Sequence, residues 1–169
     1  MRSSVLLALT PWCMSLLRAQ APASARDLAS TAASWDVNAE HWSQHDTTVF
    51  GLGTEGTRVV TWRPDDGSLA KVLVQSRGEA GRSLESYYLA SGIGLFLAVR
   101  RLESYDQPLG GHVVSARVDS LYYRNGQLVR GVRIDSSATA TRVIPLRMSK
   151  DRVLARMRAT LDAAGVTPN

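Results

Sequence analysis

The chain has 169 residues, 20 Lys plus Arg against 15 Asp plus Glu, a formal net charge of +5 and one cysteine. The cations are nearly all arginine and lie scattered among acidic residues, with no stripe interleaved with aromatics, so a nucleic-acid surface is not expected. No intrachain disulfide can form, and stability must come from the buried core of an ordinary single-domain length.

Residues 1–25, MRSSVLLALTPWCMSLLRAQAPASA, read as a cleaved secretory signal peptide. Arg2 gives a basic start, an apolar run extends from Val5 to Leu17, and small residues end in Ala23-Ser24-Ala25. The run is shorter than the ~20 apolar residues that span a bilayer, and Pro11 interrupts it, so no stable membrane anchor is expected. Two cuts fit the small-x-small pattern. One after Ala21 would place Pro22 at the new terminus and be hindered; one after Ala25 leaves Arg26 and is preferred. Acylation of Cys13 is disfavoured by bulky Trp12 and by the apolar run continuing beyond it. With Arg2, Arg18 and Cys13 removed, the net charge becomes 18 − 15 = +3 and no cysteine remains to exploit a disulfide-permissive, periplasmic or extracellular setting.

Residues 26–56 are polar and alanine-rich at first, and a short helix is expected before about Asp46, with Trp35 and Trp42 seven apart on one face. From Thr57 to Ile134 the pattern becomes β-type runs between glycine turns, predicting five to six strands. Asp66-Gly67 and Asn125-Gly126 supply residues suited to tight hairpins. An aromatic, a glycine turn and a leucine recur three times, at Trp62, Tyr88 and Tyr123, at unequal spacings that indicate an antiparallel meander and not a solenoid. Strict alternation puts Leu95, Leu97 and Val99 opposite Phe96, Ala98 and Arg100. Along the next strand Val114, Ala116, Val118 and Tyr122 oppose Ser115, Arg117 and Asp119. The greasier face needs a cover. A C-terminal helix supplies one, with Ser149 as N-cap, Asp151 in the first turn, Gly165 as stop, and Val153, Leu154, Met157 and Leu161 at helical spacing. The fold class is therefore α+β: a single antiparallel meander within residues 57–169, covered on one face by the C-terminal helix.

The strings GTEGTRVVTW, RGEAGRSLESYYLASGIGLFLAVRRLESYDQP and SLYYRNGQLVRGV resemble a loosely defined group of uncharacterised exported bacterial proteins, over roughly residues 53 to 134. The resemblance implies the meander and export, and no activity, cofactor or active site.

Four constellations bear on function. His41 and His45, with Asp36, Glu40 and Asp46 nearby and His112 distant, would share a helical face and present two imidazoles to a metal, the basis of a metal-assisted hydrolase as the alternative reading. Gly51-Leu52-Gly53-Thr54-Glu55-Gly56 spells the dinucleotide fingerprint, but a β run follows it where a helix is required, so it reads as a loop. Arg77-Gly78-Glu79-Ala80-Gly81-Arg82 reads as a turn with local ion pairs. Tyr87, Tyr88, Tyr105, Tyr122 and Tyr123 supply sheet aromatics; in each Tyr-Tyr pair one ring is expected in the core and the other wetter. The wetter set, taken as Tyr88 and Tyr123 with Arg100, Arg117 and Arg124, forms a candidate recognition surface, because Tyr and Arg anchor interfaces. No serine has the strand-turn-helix setting of a nucleophile elbow, and no cysteine survives to act as a nucleophile. The sequence thus favours an exported, non-enzymatic binding or interaction module without cofactor, acting on a protein or small ligand of the cell envelope, as a monomer or a weak dimer through its sheet edges.

Overall fold

The structure is a computed structural model, and it describes residues 24–52, 55–90, 94–108, 111–137 and 139–167. The expected leader lies outside the described residues except for Ser24 and Ala25. Helix α1 (Ala25–Asn38) is followed by a 3-10 turn (Ala39–His41) and eight strands: β1 (Ser43–Val49), β2 (Thr57–Arg63), β3 (Lys71–Gly78), β4 (Gly81–Ala90), β5 (Gly94–Tyr105), β6 (Val113–Arg124), β7 (Gln127–Ser137) and β8 (Thr141–Pro145). Helix α2 (Lys150–Ala163) closes the order. The strands form one antiparallel sheet in sequence order, so the α+β meander expected from the sequence is present, with eight strands among the described residues in place of five or six. The N-terminal helix α1 is a second cover where the fold class had the C-terminal helix alone.

Helix α1 begins where a side chain can satisfy its first free amides. Ser24 Oγ accepts from Asp27 N at 3.2 Å, while Asp27 Oδ2 accepts from Ser24 N at 2.7 Å, a reciprocal capping box. The helix stops at Asn38, eight residues short of the expected limit near Asp46, because Ser43–Val49 turns extended to pair with β2. The six predicted strands correspond to β2 through β7. Asn125 at φ 47° and Gly126 at φ 83° make the mirror-image turn that matches strand twist, joining β6 to β7 with two residues. Asp66-Gly67 does something different. Gly67 alone has positive φ, its N–H donates to Pro64 O at 2.9 Å, and it sits inside a longer connection between Arg63 and Lys71.

Both sheet faces carry a core. On one, Val153, Met157 and Leu161 of α2 pack with Val59, Val72, Tyr87, Leu95, Ala98, Leu121 and Tyr123. Ser149 caps α2 by accepting from Arg152 N at 3.4 Å, and Gly165 at φ 66° ends it, so the predicted helix and its buried stripe are as read, but the face it covers is the other one. Ala98, Leu121 and Tyr123, with Arg100 and Asp119, lie under α2, whereas Leu97, Val99 and Tyr122, read as part of the greasier face, pack on the α1 side. On the other face, α1 lays Leu28 and Ala32 over Tyr88, Phe96 and Leu97. Trp35 meets Phe96 edge-on at 5.2 Å and Trp42 at 5.5 Å, each contact adding directional attraction to apolar burial.

The strict alternation expected along β5 fails at one residue. Pairing with β4 jumps from Leu97 opposite Tyr88 to Leu95 opposite Leu89, leaving Phe96 as an extra bulged residue. Leu95 therefore joins Ala98 in the α2-side core, whereas Phe96 and Leu97 join the α1-side core with Val99 at its rim.

Candidate functional site

On the α2 side, four charges stand in register across adjacent strands: Glu85 (β4), Arg100 (β5), Asp119 (β6) and Arg133 (β7). Their signs alternate. Asp119, only 6% exposed, accepts from Arg133 Nε at 2.6 Å and Nη2 at 2.9 Å, the paired geometry at which a guanidinium binds a carboxylate most strongly. That bond also raises the Arg133 pKa further above its already high value. Arg100 Nε lies 3.0 Å from Glu85 Oε1, within ion-pair range but off the hydrogen-bond direction, and it is buried without an acceptor among the described residues. Arg156 of α2 approaches the same Glu85 oxygen at 3.9 Å, and the Tyr87 hydroxyl donates to Oε2. Burial first, then the Glu85 charge, drives the Tyr87 pKa far above the usual tyrosine range. The cavity between this ladder and α2 holds only about 30 Å³. The ladder is closed, and it ties α2 to the sheet.

The next rows out are open. Leu102, Arg117, Asp135 and Arg142 form one row across β5 to β8, and Ser104, Ser115 and Ser137 form the row beyond it. Together with Ala116, Ser136, Thr139 and Ala140 they line a cleft of about 510 Å³ to which α2 contributes no residue. Arg117 Nε donates to Asp135 Oδ1 at 2.8 Å. Arg142, opposite Asp135 on the edge strand, is exposed and has no hydrogen-bond or ion-pair partner among the described residues. Ser137 Oγ lies 3.4 Å from Thr139 Oγ1 and from Ala140 O. The Ser104 and Ser115 hydroxyls are unengaged by any described side chain. The cleft thus offers hydroxyl donors and a spare guanidinium on a rigid sheet.

The five residues read as one recognition surface are dispersed. Arg100 and Arg117 do share a face, but it is the α2 face. Arg100 is spent in the ladder and Arg117 lines the cleft. Arg124 is half-buried at the β6–β7 hairpin tip. Tyr88 and Tyr123 are core residues on opposite faces. Tyr88 donates to Asp36 at 3.0 and 3.1 Å, and Lys71 Nζ reaches the same carboxylate at 2.6 Å while lying 4.7 Å above the Trp62 ring, so this cluster fastens α1 to the sheet. Burial, then the Asp36 charge, raises the Tyr88 pKa well beyond its ordinary value. Tyr123 is fully buried, donates to Met148 O at 3.1 Å, and burial pushes its pKa up to about 12.

The histidine pair does not form as read. His41 closes the 3-10 turn and His45 lies on β1, both exposed, so the shared helical face never exists. Among the described residues, no three His, Cys, Asp or Glu side chains converge as metal ligands. The glycine-rich loop joins antiparallel β1 to β2, with no helix after it. In the Arg77–Arg82 turn, Arg82 reaches Glu103 on β5 and not Glu79; Arg101 Nε meets the same carboxylate at 2.5 Å. Glu103 is 4% exposed, and Arg82, followed by Arg101, holds its pKa below the usual carboxylate range. A β-carbon on Gly81 would stand 2.0 Å from Glu103 O, so the glycine that begins β4 is what allows this approach.

No family model matches the chain, and neither a curated protein nor a solved structure matches it. No described helix is long and apolar enough to cross a membrane.

Proposed function

We propose that this chain is an exported, non-enzymatic binding module, and that its ligand occupies the cleft over β5 to β8. One observation carries the reading: beside a charge ladder closed under α2, the same face holds a cleft of about 510 Å³ with an arginine and two serines that have no side-chain partner among the described residues. That volume lies within the ~300–1,000 Å³ span of small-molecule sites. Rigid strands fix the positions of these groups, which favours selective capture over chemistry. The one carboxylate lining the cleft, Asp135, is held by Arg117 at 2.8 Å and hydrogen-bonds no hydroxyl among the described residues, so no nucleophile is paired with a base there.

Residues 1–25, read as a leader, support an envelope location. Cleavage after Ala25 would remove Ser24 and the capping box of α1, whereas cleavage after Ala21 would keep both.

Native mass spectrometry of protein purified from envelope extract tests the function. A small-molecule adduct is expected on the parent and not on Arg142→Gln. No adduct on the parent, or equal adducts on both, overturns the reading.

A further inference from the structure

Resting on that cleft as the ligand site, we infer that its ligand is a tetrahedral oxyanion, phosphate or sulfate, carried as an ester on a polar, hydroxylated body.

Charge sets the sign. Of the three ionised groups in the cleft, Asp135 is neutralised by Arg117 through the 2.8 Å bond, so Arg142 is the surplus cation. A neutral or cationic ligand would leave it unanswered, whereas an oxyanion accepts its fork in charge-assisted bonds, about twice as strong as neutral ones.

Geometry sets the shape of the anion. Ser104, Ser115 and Ser137 face one another on three consecutive strands, one row beyond Arg117. Directly opposed residues hold their β-carbons about 5 Å apart, so the Ser104 and Ser115 hydroxyls, which no described side chain engages, can donate to different oxygens of one tetrahedral group while Arg142 approaches from the edge strand and Ser137 stays bonded to Ala140 O. A planar carboxylate offers two oxygens and would leave part of this donor set idle.

Composition and size describe the remainder. Among the described residues no aromatic side chain lines the cleft, and its apolar residues are Leu102, Ala116 and Ala140. Stacking of a nucleobase or of a sugar ring face therefore has no platform. The cleft, at about 510 Å³, is far larger than a bare oxyanion, so the ester partner is a polar body hydrogen-bonded by Thr139 and the Ser136–Ser137 segment.

Isothermal titration at low ionic strength on the purified protein tests this, with inorganic phosphate, inorganic sulfate, glucose 6-phosphate and glucose as probes. Glucose 6-phosphate is expected to bind at least tenfold more tightly than inorganic phosphate, and glucose to show no binding. Arg142→Gln and Ser115→Ala, each with unchanged circular dichroism, are expected to weaken glucose 6-phosphate at least tenfold. The relative affinities of phosphate and sulfate identify which oxyanion is preferred. Glucose binding as tightly as its phosphate overturns the anion inference and leaves the cleft as a binding site. Failure of all four probes, or equal affinity in Arg142→Gln, overturns the inference, while the adduct measurement judges the binding reading separately.

Discussion

Leu161→Ala is the sharpest probe of how α2 is held. Leu161 is fully buried between the helix and the sheet, in one stripe with Val153 and Met157. Truncating a buried leucine loses the transfer free energy of its methyl and methylene groups and leaves a cavity, in all about 2–5 kcal/mol. The sheet floor beneath α2 is hydrogen-bonded β-structure that collapses poorly, whereas α2 is a single helix held by side-chain packing and can settle inward. The middle of that span, about 3 kcal/mol, is therefore expected. For a domain of this size it corresponds to a fall of about 10 °C in the thermal midpoint. The assay is thermal unfolding by circular dichroism, with Arg158→Ala on the exposed side of α2 as control, expected within about 0.5 kcal/mol of the parent. A Leu161→Ala loss below about 1 kcal/mol would refute the packing described for α2.

Further consequences follow from single contacts. Glu103→Gln should lower the melting temperature at neutral pH. Because the folded carboxyl titrates below its ordinary value of ~4.3, its contribution is present above that pH and lost as pH falls through the folded value, so parent and variant should converge in acid. A persistent gap well below that range in pH-dependent melting would disprove the ion pairing. Gly131→Ala should be severely destabilising, since a β-carbon there would stand 1.9 Å from Leu146 O, where β7 and the chain leaving β8 approach closely. A melting temperature equal to the parent's would contradict that approach. Tyr123→Phe should cost about 1 kcal/mol by orphaning the Met148 carbonyl that its hydroxyl serves at 3.1 Å, read as a shift in the urea midpoint. No shift would mean the carbonyl is satisfied otherwise.

The elements that carry strong local signals were legible in the sequence, and those set by long-range pairing were not. Strands β2 to β7 show alternation or β-branched runs between glycine turns, and α2 shows a cap, an apolar stripe and a stop. Strand β1 reads SQHDTTV, polar and mostly exposed at the sheet edge, so no apolar alternation betrays it. Strand β8 is a short, wholly exposed edge ending in proline. The expectation of one core and one wetter ring in each tyrosine pair fails at Tyr87-Tyr88, because α1 covers the face that a one-helix reading leaves wet. Phe96 as a bulged residue follows from pairing with β4 and has no local signature. Arg117 was visible as a recognition candidate; the serine row beside it was not. Ser104, Ser115 and Ser137 align only once the registers of β5, β6 and β7 are fixed, including the irregularity between Ser104 and Tyr105.

The cleft is tested most directly by mapping amide chemical-shift changes on the isotopically labelled protein during titration with glucose 6-phosphate. Saturating shifts at Ser104, Ser115, Arg117, Ser137 and Arg142, absent in Arg142→Gln, are predicted. Saturating shifts confined to α1, Lys71 and β1, or none anywhere, would contradict the placement of the site.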